Sequence, residues 1–428
     1  MAVWRPTTAH IRATLLGFGL LLTGVILGRP DLVVLATPLV IVAVWAALAR
    51  PTVEPHLDCP VTALTVHEGE EFNWVARVSD VPGLQRVVVT HGPQRWLDAE
   101  PEDGLQVEAQ PAAWTEAAIA LRTTRWGRRT LTEPAVAAYG VWNAWRWGPV
   151  TVPGIRLTVL PVTPPFDFAV PAPHPRGLVG MERAIRAGEG TEFAMVRPFL
   201  PGDRLRRIHW PVTARTGHLH VTATYADEDA RVLVMVDATS DLGVSGGIED
   251  SRSSMDITTR AAAAIAEHFL RRGDRVELRV SGAWRVSRVP ASSGRLQLRR
   301  ILDTLSLIHP GTARGEKAWP GRLGSGPGTL ALMLSPLIDA AATDEVAVLI
   351  RAGITVVVVD TLPDEATVTT DDERSAIAWR LRMLERQLEL DRLAGLGVPI
   401  ARWSGPESLD LVLRDLSRQR SFPRLVAR

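Results

Sequence analysis

The 428-residue chain has only one cysteine, Cys59, so an intramolecular disulfide framework and a cysteine-based metal cluster are both excluded. It also lacks an excess of either charge, because 48 lysine and arginine residues face 47 aspartate and glutamate residues. The resulting net charge of +1 argues against a strongly basic nucleic-acid binder, and no nucleic-acid partner is expected. At this length two or three domains are expected.

The motifs of the common nucleotide-dependent and metal-dependent enzymes are also missing. The sequence contains no G-x-x-x-x-G-K-[ST], no H-E-x-x-H and no convincing dinucleotide fingerprint. A formal G-x-S-x-G match centres on Ser245, but several residues separate this serine from the preceding predicted strand. A nucleophile elbow needs a strand that leads directly into the serine and a helix directly after it. We therefore predict a flexible loop there and a protein that is not an enzyme.

Apolar residues are concentrated in the first fifty positions. Two uncharged runs, Ala13–Leu27 and Leu32–Ala49, flank a turn-forming Gly28–Asp31 segment. Spanning a bilayer takes roughly 20 apolar residues, so residues 1–50 are predicted to form two transmembrane helices. A cleaved signal peptide and a buried hairpin of a soluble protein are the alternatives; no A-x-A-like cleavage site lies between the two runs.

Arginines flank the predicted hairpin. Arg5 and Arg12 precede it and Arg50 follows it, whereas the turn is nearly neutral. The positive-inside rule then places both chain ends in the cytoplasm. We expect a multi-pass protein of the cell membrane with cytoplasmic soluble domains.

Beyond the hairpin, the hydrophobic pattern changes twice. Residues 52–160 show period-two alternation at 72–78 and further short strand candidates at 87–90, 118–122 and 157–160 between Gly/Pro turns, which predicts a small β-sandwich. A clustered set of tryptophans, Trp142, Trp145 and Trp147, is expected to pack in that sandwich, with an interfacial membrane belt as the alternative. Residues 161–187 form a proline-rich linker.

From residue 231 to 428, strand and helix patterns alternate, which predicts a doubly wound α/β domain. The strands are predicted at 231–236, 275–280, 329–334, 354–359 and 398–403, and the helices at 256–272, 295–308, 343–351, 371–393 and 407–416. Helix 371–393 carries Ile377, Leu381, Leu384 and Leu388 on one stripe, a pattern typical of a core-facing side. Its charged face could instead meet a partner. Ligands of this fold class bind at the carboxyl ends of strands.

The linker and the α/β domain are joined by a charged stretch, residues 188–230, here called the signature segment. Between Gly188 and Asp227 it reads GEGTEFAMVRPFLPGDRLRRIHWPVTARTGHLHVTATYAD. Pro201-Gly202-Asp203 predicts a tight turn. The arginines are suited to bidentate pairing with carboxylates; the candidate acids are Asp203, Glu189 and Glu192, and the predicted binding residues are Arg197, Asp203, Arg206, Trp210 and Arg215. We predict a structural clamp between the sandwich and the α/β domain, with an arginine-lined surface for an acidic partner as the alternative.

The signature segment resembles the motif R-x-Y-x-P-G-D-x-x-R-x-I-D-W-x-x-x-A-R of a bacterial family, domain-of-unknown-function family fifty-eight (DUF58). Phe199 stands where the family has tyrosine, and His209 where it has aspartate. The stretch that begins at Arg125, RWGRRTL, is similar to another strand of that family.

The resemblance implies a von Willebrand factor type A-like domain over residues 231–428. It also implies a membrane-anchored, non-enzymatic scaffold that acts as adaptor or co-chaperone for a MoxR-type AAA+ ATPase, in complex assembly or at the cell envelope. A hydrolase that uses Ser245, or a metal at Asp237, is the alternative.

Type A-like domains commonly bind Mg²⁺ through D-x-S-x-S after the first strand, because a hard dication prefers oxygen ligands. Here the motif reads Asp237-Ala238-Thr239-Ser240-Asp241, and Pro336 stands where a later aspartate is expected. The resemblance thus implies a degenerate Mg²⁺ site at Asp237, Thr239 and Asp241. We favour the alternative that Asp237 and Thr239 satisfy backbone donors. Three histidines, His209, His218 and His220, have no acidic or cysteine neighbour at ligand spacing, so no metal is expected there.

Overall fold

The computed structural model describes residues 3–109, 114–131, 133–164, 187–200, 203, 205–225, 231–282, 287–311, 329–364, 366, 373–409 and 412. The chain divides into two compact units. The first comprises Met1–Pro161 with Gly247–Glu249, and the second comprises Val162–Gly246 with Asp250–Arg428.

Two apolar helices, α1 (Thr8–Leu27) and α2 (Pro30–Leu48), open the first unit. Thr7 caps α1 by accepting a hydrogen bond from the backbone N–H of His10, and Gly28 ends it in the left-handed conformation at φ 61°. Both helices are long and apolar enough to cross a membrane, and only 11% and 17% of their apolar windows are buried. The low burial is unlike that of a core helix of a soluble protein. The turn is shorter than predicted, because Pro30 already begins α2.

Both ends of this hairpin are attached to the same sheet. Strand β1 (Arg5–Pro6), just before α1, pairs with strand β11 (Trp145–Thr151). After α2, the guanidinium of Arg50 lies 4.8 Å from the ring centre of Trp145. The indole N–H of Trp145 donates to the carbonyl of Ala46 at 2.8 Å. Both ends of the α1–α2 hairpin therefore lie next to strand β11.

The rest of the first unit is built from strands that form three sheets. Besides β1 and β11, they are β2 (Leu57–Asp58), β3 (Ala63–His67), β4 (Glu71–Ser79), β5 (Leu84–Thr90), β6 (Leu97–Glu100), β7 (Leu105–Glu108), β8 (Trp114–Thr123), β9 (Gly127–Thr130), β10 (Ala135–Gly140) and β12 (Arg156–Leu160). The sheet orders are β1-β11-β10-β5-β7, β2-β4-β8-β6 and β3-β12-β9. The strand content agrees with the prediction, but a two-sheet sandwich does not describe it, because β12 pairs with β3 and β9 in a separate sheet.

One apolar core serves these three sheets, and it includes two of the clustered tryptophans. Trp145 and Trp147 are buried in it beside Trp74 and Val136, which confirms the packing prediction for these two. Trp142 is the exception, since it remains 61% exposed.

The second unit contains a six-stranded sheet of order β17-β16-β15-β18-β19-β20. Its strands are β15 (Arg231–Asp237), β16 (Arg275–Ser281), β17 (Ser287–Ser292), β18 (Thr329–Ser335), β19 (Thr355–Asp360) and β20 (Ile400–Arg402). All neighbours are parallel except β17, an antiparallel edge strand that the sequence pattern did not indicate. The chain moves outward from β15 to β17 and then returns to β18, so the direction of winding reverses between β15 and β18.

Helices follow the strands much as predicted. A short helix that was not predicted, α3 (Trp210–Thr216), lies in the signature segment, and the predicted ones are α4 (Ser254–Arg271), α5 (Arg295–Leu305), α6 (Ala340–Arg351) and α7 (Glu373–Gly395). A core cluster joins Leu233 and Met235 of β15 to side chains of α6 and α7, while the alternate residues of β15 are buried as well. Burial on both faces is the signature of a covered parallel sheet. The predicted helix 407–416 lies largely outside the described residues.

The apolar stripe of α7 does not face the core, contrary to the prediction. Ile377, Leu381, Leu384 and Leu388 are 57–68% exposed. The core-facing side is instead the one that carries Leu390 and Leu393. Sequence periodicity could not separate these two sides, because both repeat at helical spacing.

Candidate functional site

The last residues of the central parallel strands form a row at the carboxyl edge of the sheet. Strand register places Asp237 opposite Ser281, and Ser335 opposite Asp360. Ser335 directly follows the β18 residue that pairs with Val236, so Asp237 and Ser335 are neighbours across the point where the winding reverses. Polar side chains at this position are suited to binding a ligand.

Asp237 is the centre of this row. Its carboxylate is 5% exposed and accepts three hydrogen bonds. The hydroxyls of Thr239 and Ser335 each donate at 2.6 Å, to Oδ1 and Oδ2 respectively, and the backbone N–H of Thr239 donates to Oδ1 at 3.0 Å. We call Asp237, Thr239 and Ser335 the edge cluster. Ser335 was not predicted as a member; its position after a buried strand was the available signal.

A glycine holds the neighbouring strand end against the edge cluster. Gly282 follows β16 with φ 71°, and a Cβ at this position would lie 2.2 Å from Oγ1 of Thr239. Any side chain there would displace Thr239 from Asp237 and would also strain the backbone. The geometry of the cluster therefore depends on a residue that takes no part in its hydrogen bonds.

Asp241, the third predicted metal ligand, is oriented differently. Its Oδ1 accepts from the backbone N–H of Met255 at 3.0 Å, in the first turn of α4. Asp339, which could have replaced the aspartate lost at Pro336, accepts from the backbone N–H of Ala341 and caps α6. Among the described residues, no three histidine, cysteine, aspartate or glutamate side chains group as metal ligands.

A second carboxyl near the edge cluster was missed by the sequence analysis. The pKa of Glu345 in α6 is raised to about 8, mainly by burial and in smaller part by the negative charge of Asp237, while Arg279 acts in the opposite direction. Nothing in the local sequence distinguishes Glu345 from an ordinary helix-surface glutamate, because its environment is created by tertiary packing. This carboxyl is mainly protonated at neutral pH.

The other acidic strand end, Asp360, is paired with a base. The guanidinium of Arg386, in α7, forms an ion pair with its carboxylate, and both side chains are largely buried. Arg386 also donates from Nε to the carbonyl of Pro336 at 2.8 Å. The pair fixes α7 to the carboxyl edge.

Ser245 lies in the loop between β15 and α4, eight residues after the strand ends at Asp237 and nine before the helix begins at Ser254. The strand-to-serine-to-helix geometry of a nucleophile elbow is therefore not present at this position.

The signature segment contributes a separate small structure. Strand β13 (Ala187–Pro198) pairs with β14 (His220–Tyr225), and α3 lies between them in sequence. Arg197 forms a bidentate ion pair with Asp203, at 2.8 Å for Nη1–Oδ2 and 2.7 Å for Nη2–Oδ1. The hydrogen bond from Arg197 lowers the pKa of Asp203, and one from the backbone N–H of Leu200 lowers it further. Of the three candidate acids, Asp203 is thus the described partner, and this pair closes the segment on itself.

Two other predicted binding residues are exposed. Trp210 begins α3 and is 66% exposed, and Arg215 is exposed in its last turn. Exposed leucines, Leu200, Leu205 and Leu219, lie in the same segment. The side chain of Arg206 and the residues Pro201 and Gly202 fall outside the described residues, so the predicted turn is described only at Asp203.

The three histidines of the segment serve local hydrogen bonds. Nδ1 of His209 accepts from the backbone N–H of Val212 at 3.4 Å and caps α3. Nδ1 of His220 lies 2.8 Å from the carbonyl of His218. The rings of His209 and His220 thus have local partners, whereas His218 contributes its backbone carbonyl.

Comparison with known proteins agrees with the resemblance over part of the chain. Residues 195–378 match the family described as "Protein of unknown function DUF58". Uncharacterised proteins of Mycobacterium bovis and Mycobacterium tuberculosis are each 33% identical over 133 residues, which is 31% of this chain and 41% of the relative. The chain thus spans about two fifths of the length of the curated relatives it matches. The family match over residues 195–378 contains the edge cluster and most of the described part of the signature segment.

Proposed function

We propose that this protein is a membrane-anchored, non-enzymatic scaffold whose signature segment binds another protein. The observation that carries the proposal is the exposure of Trp210 on a segment whose described part includes the internal Arg197–Asp203 ion pair. Tryptophan and arginine dominate the binding energy of protein interfaces, and a large apolar ring gains little from remaining in water. Arg215 in the same short helix supplies the charge that would orient an acidic partner.

The partner we propose is a MoxR-type AAA+ ATPase, because the residues of the signature segment resemble those of DUF58 proteins. The α/β unit would act as a type A-like domain that presents the segment. Its strand order and the antiparallel edge strand support a doubly wound domain of this kind.

Anchoring by the α1–α2 hairpin is proposed for the cell membrane, with the remainder of the chain in the cytoplasm. The attachment of both hairpin ends to one sheet supports a re-entering topology. Arg5, Arg12 and Arg50 lie at these ends, which favours a cytoplasmic location for them.

The edge cluster supports a structural role more strongly than a metal site. Asp237 accepts hydrogen bonds at both carboxylate oxygens, from the hydroxyls of Thr239 and Ser335. A bound cation would require both hydroxyl hydrogens to rotate away from Asp237. If Mg²⁺ bound here, its oxygen ligands would be Asp237, Thr239 and Ser335. The predicted ligand Asp241 would not take part, because its carboxylate accepts from the backbone N–H of Met255 in the first turn of α4. We propose that binding of the partner does not require Mg²⁺.

The test uses the full chain in detergent as bait for the MoxR-type ATPase of the same organism, without nucleotide and with or without Mg²⁺. Trp210→Ala should weaken capture at least tenfold, because truncation of an interface tryptophan typically costs ~2 kcal/mol or more. Trp142→Ala is the matched control, since Trp142 is 61% exposed in the other unit. Equal capture by the wild type and Trp210→Ala would contradict the proposal. A hydrolase activity that is lost in Ser245→Ala would favour an enzyme instead.

A further inference from the structure

Helix α7 has two apolar sides, and within the described part of its unit one of them packs on the core while the other is exposed. Leu390 and Leu393 pack on the sheet core, and Arg386 on the same side pairs with Asp360. The opposite side exposes what we call the outer stripe: Ile377, Leu381, Leu384 and Leu388. Residues 384 and 386 differ by two positions, or about 200° around a helix, so the two sides are nearly antipodal.

The outer stripe has the spacing of a coiled-coil seam. Its four residues are separated by four, three and four positions, which places Ile377 and Leu384 at d and Leu381 and Leu388 at a of a heptad repeat. An isolated surface leucine needs no explanation, but a continuous three-turn row of large aliphatic side chains on one exposed side does.

The charges that flank the outer stripe match a second copy of the same helix. In this heptad register Arg380 is a g residue and Glu385 is the e residue five positions later. Parallel two-stranded coiled coils bring g of one helix next to the following e of the other, so Arg380 would meet the Glu385 of the other copy, twice by symmetry. An antiparallel pair would instead place Arg380 near Gln387 and Glu385 near Ala378, without ion pairs. Glu385 already accepts from Arg382 on its own helix at 2.8 Å, which orients its carboxylate at the flank.

The charge pattern disfavours a lipid surface as the occupant. Five arginines and four acidic residues are interspersed along α7, whereas helices that lie on anionic membranes are strongly basic on their polar side. A mixture of both signs is typical of helices that pair with one another.

We propose that the outer stripe of α7 is a self-association surface, through which two copies of this chain form a parallel two-stranded coiled coil. Residues 377–388 extend over about 18 Å, and four core positions are few compared with a standard interface of about 1,600 Å². The association is therefore weak in dilute solution and strengthens when two copies share one bilayer, because the effective concentration rises. This proposal does not depend on the identity of the partner proposed above.

Cysteine cross-linking of the full chain in lipid vesicles tests the arrangement. The chain has one native cysteine, so Cys59→Ser gives a cysteine-free background. In this background Leu384→Cys should form a disulfide-linked dimer on mild oxidation, because d residues face each other in a parallel pair. Leu296→Cys is the matched control, since Leu296 is 67% exposed on helix α5 and Leu384 is 65% exposed. The control should give at most a fifth of the dimer yield.

Charge reversal tests the register independently of oxidation. Arg380→Glu and Glu385→Arg, each alone, should weaken dimerisation about fivefold to tenfold, because two attractive contacts become repulsive. The double variant Arg380→Glu/Glu385→Arg should restore it, which a role in folding alone would not produce.

Three outcomes would overturn the proposal. The first is equal cross-linking of Leu384→Cys and Leu296→Cys. The second is a dimer that forms only from a mixture of Leu381→Cys and Leu384→Cys chains, which would indicate an antiparallel pair. The third is a double charge variant that dimerises no better than either single variant while thermal unfolding is unchanged.

Discussion

The carboxyl edge of the sheet and the signature segment differ in which side chains they bury and which they expose. At the edge, polar groups are buried and paired: Asp237 accepts from Thr239 and Ser335, and Asp360 faces Arg386. In the signature segment, apolar groups are exposed beside the paired strands β13 and β14 and the Arg197–Asp203 ion pair. The two regions lie in the same unit.

From this difference we infer that the side chains of the edge stabilise the fold, whereas those of the signature segment contribute to recognition of a partner. A buried carboxylate with all its acceptors used stabilises the fold, and removing it leaves its donors without partners. An exposed tryptophan contributes little to the fold, so its presence indicates a contact made outside the chain. The two regions should therefore respond differently to mutation, in stability at the edge and in binding at the segment.

The largest effect on stability is expected for Asp237→Ala. The change leaves the buried hydroxyl of Ser335, the partly buried hydroxyl of Thr239 and one backbone N–H without an acceptor, and it should lower the free energy of unfolding by about 3 kcal/mol. Unfolding of the full chain in detergent can be followed by the fluorescence of its 14 tryptophans. Ser335→Ala should cost less, about 2 kcal/mol, because it removes one donor to Asp237 and the acceptor of the backbone N–H of Leu337. A stability equal to that of the wild type in Asp237→Ala would show that the edge cluster is not structural.

A smaller and pH-dependent effect is expected for Glu345→Gln. The pKa of Glu345 is about 8 in the fold, so the native state keeps a proton that the unfolded chain loses above about pH 4.5. Between these two values the native state binds more protons than the unfolded state, and stability falls as pH rises. Allowing for the partial exposure of the side chain, we expect a loss of about 2 kcal/mol between pH 5 and pH 8. Glu345→Gln should remove this loss and be more stable than the wild type at pH 8.

The role of Asp237 in this shift can be measured separately. Asp237→Asn removes the negative charge that raises the pKa of Glu345, so the decline in stability should end at a lower pH and be smaller in total. A decline that is unaffected by Asp237→Asn would mean that burial alone sets the pKa. A decline that persists in Glu345→Gln would have to arise from another group.

The strands and helices of the second unit were largely predictable, because each buried strand is a continuous apolar run and each helix has a marked end. Arg231–Asp237 and Ser254–Arg271 lie within two residues of the predicted bounds. The antiparallel β17 was missed, since Ser287–Ser292 contains a proline and alternates weakly. The prediction of which side of α7 faces the core was wrong, because the helix carries two apolar stripes of similar period and only tertiary packing selects one of them.

The candidate site was predictable only in part. Asp237 and Thr239 were found through the resemblance to the D-x-S-x-S motif that follows the first strand, and the bond between them is local. Ser335 and Glu345 reach the same place from about 100 residues away, through pairing of β15 with β18 and packing of α6. No local pattern carries that information. The Arg197–Asp203 pair, six residues apart, could be predicted from charge and spacing.

The smallest effect on stability, and the sharpest contrast with the edge, is expected for Asp203→Asn. The variant keeps the shape of the side chain but loses the charge that holds Arg197, so the melting temperature of the full chain should change by less than about 2 °C. Capture of the proposed partner should nevertheless weaken, because the frame that presents Trp210 loosens. Since Arg197 lowers the pKa of Asp203, acidification through that pKa should reproduce the variant's weaker binding in the wild type and leave Asp203→Asn unaffected. If Asp203→Asn unfolded as readily as Asp237→Ala and still bound the partner normally, the proposed distinction between the two regions would be wrong.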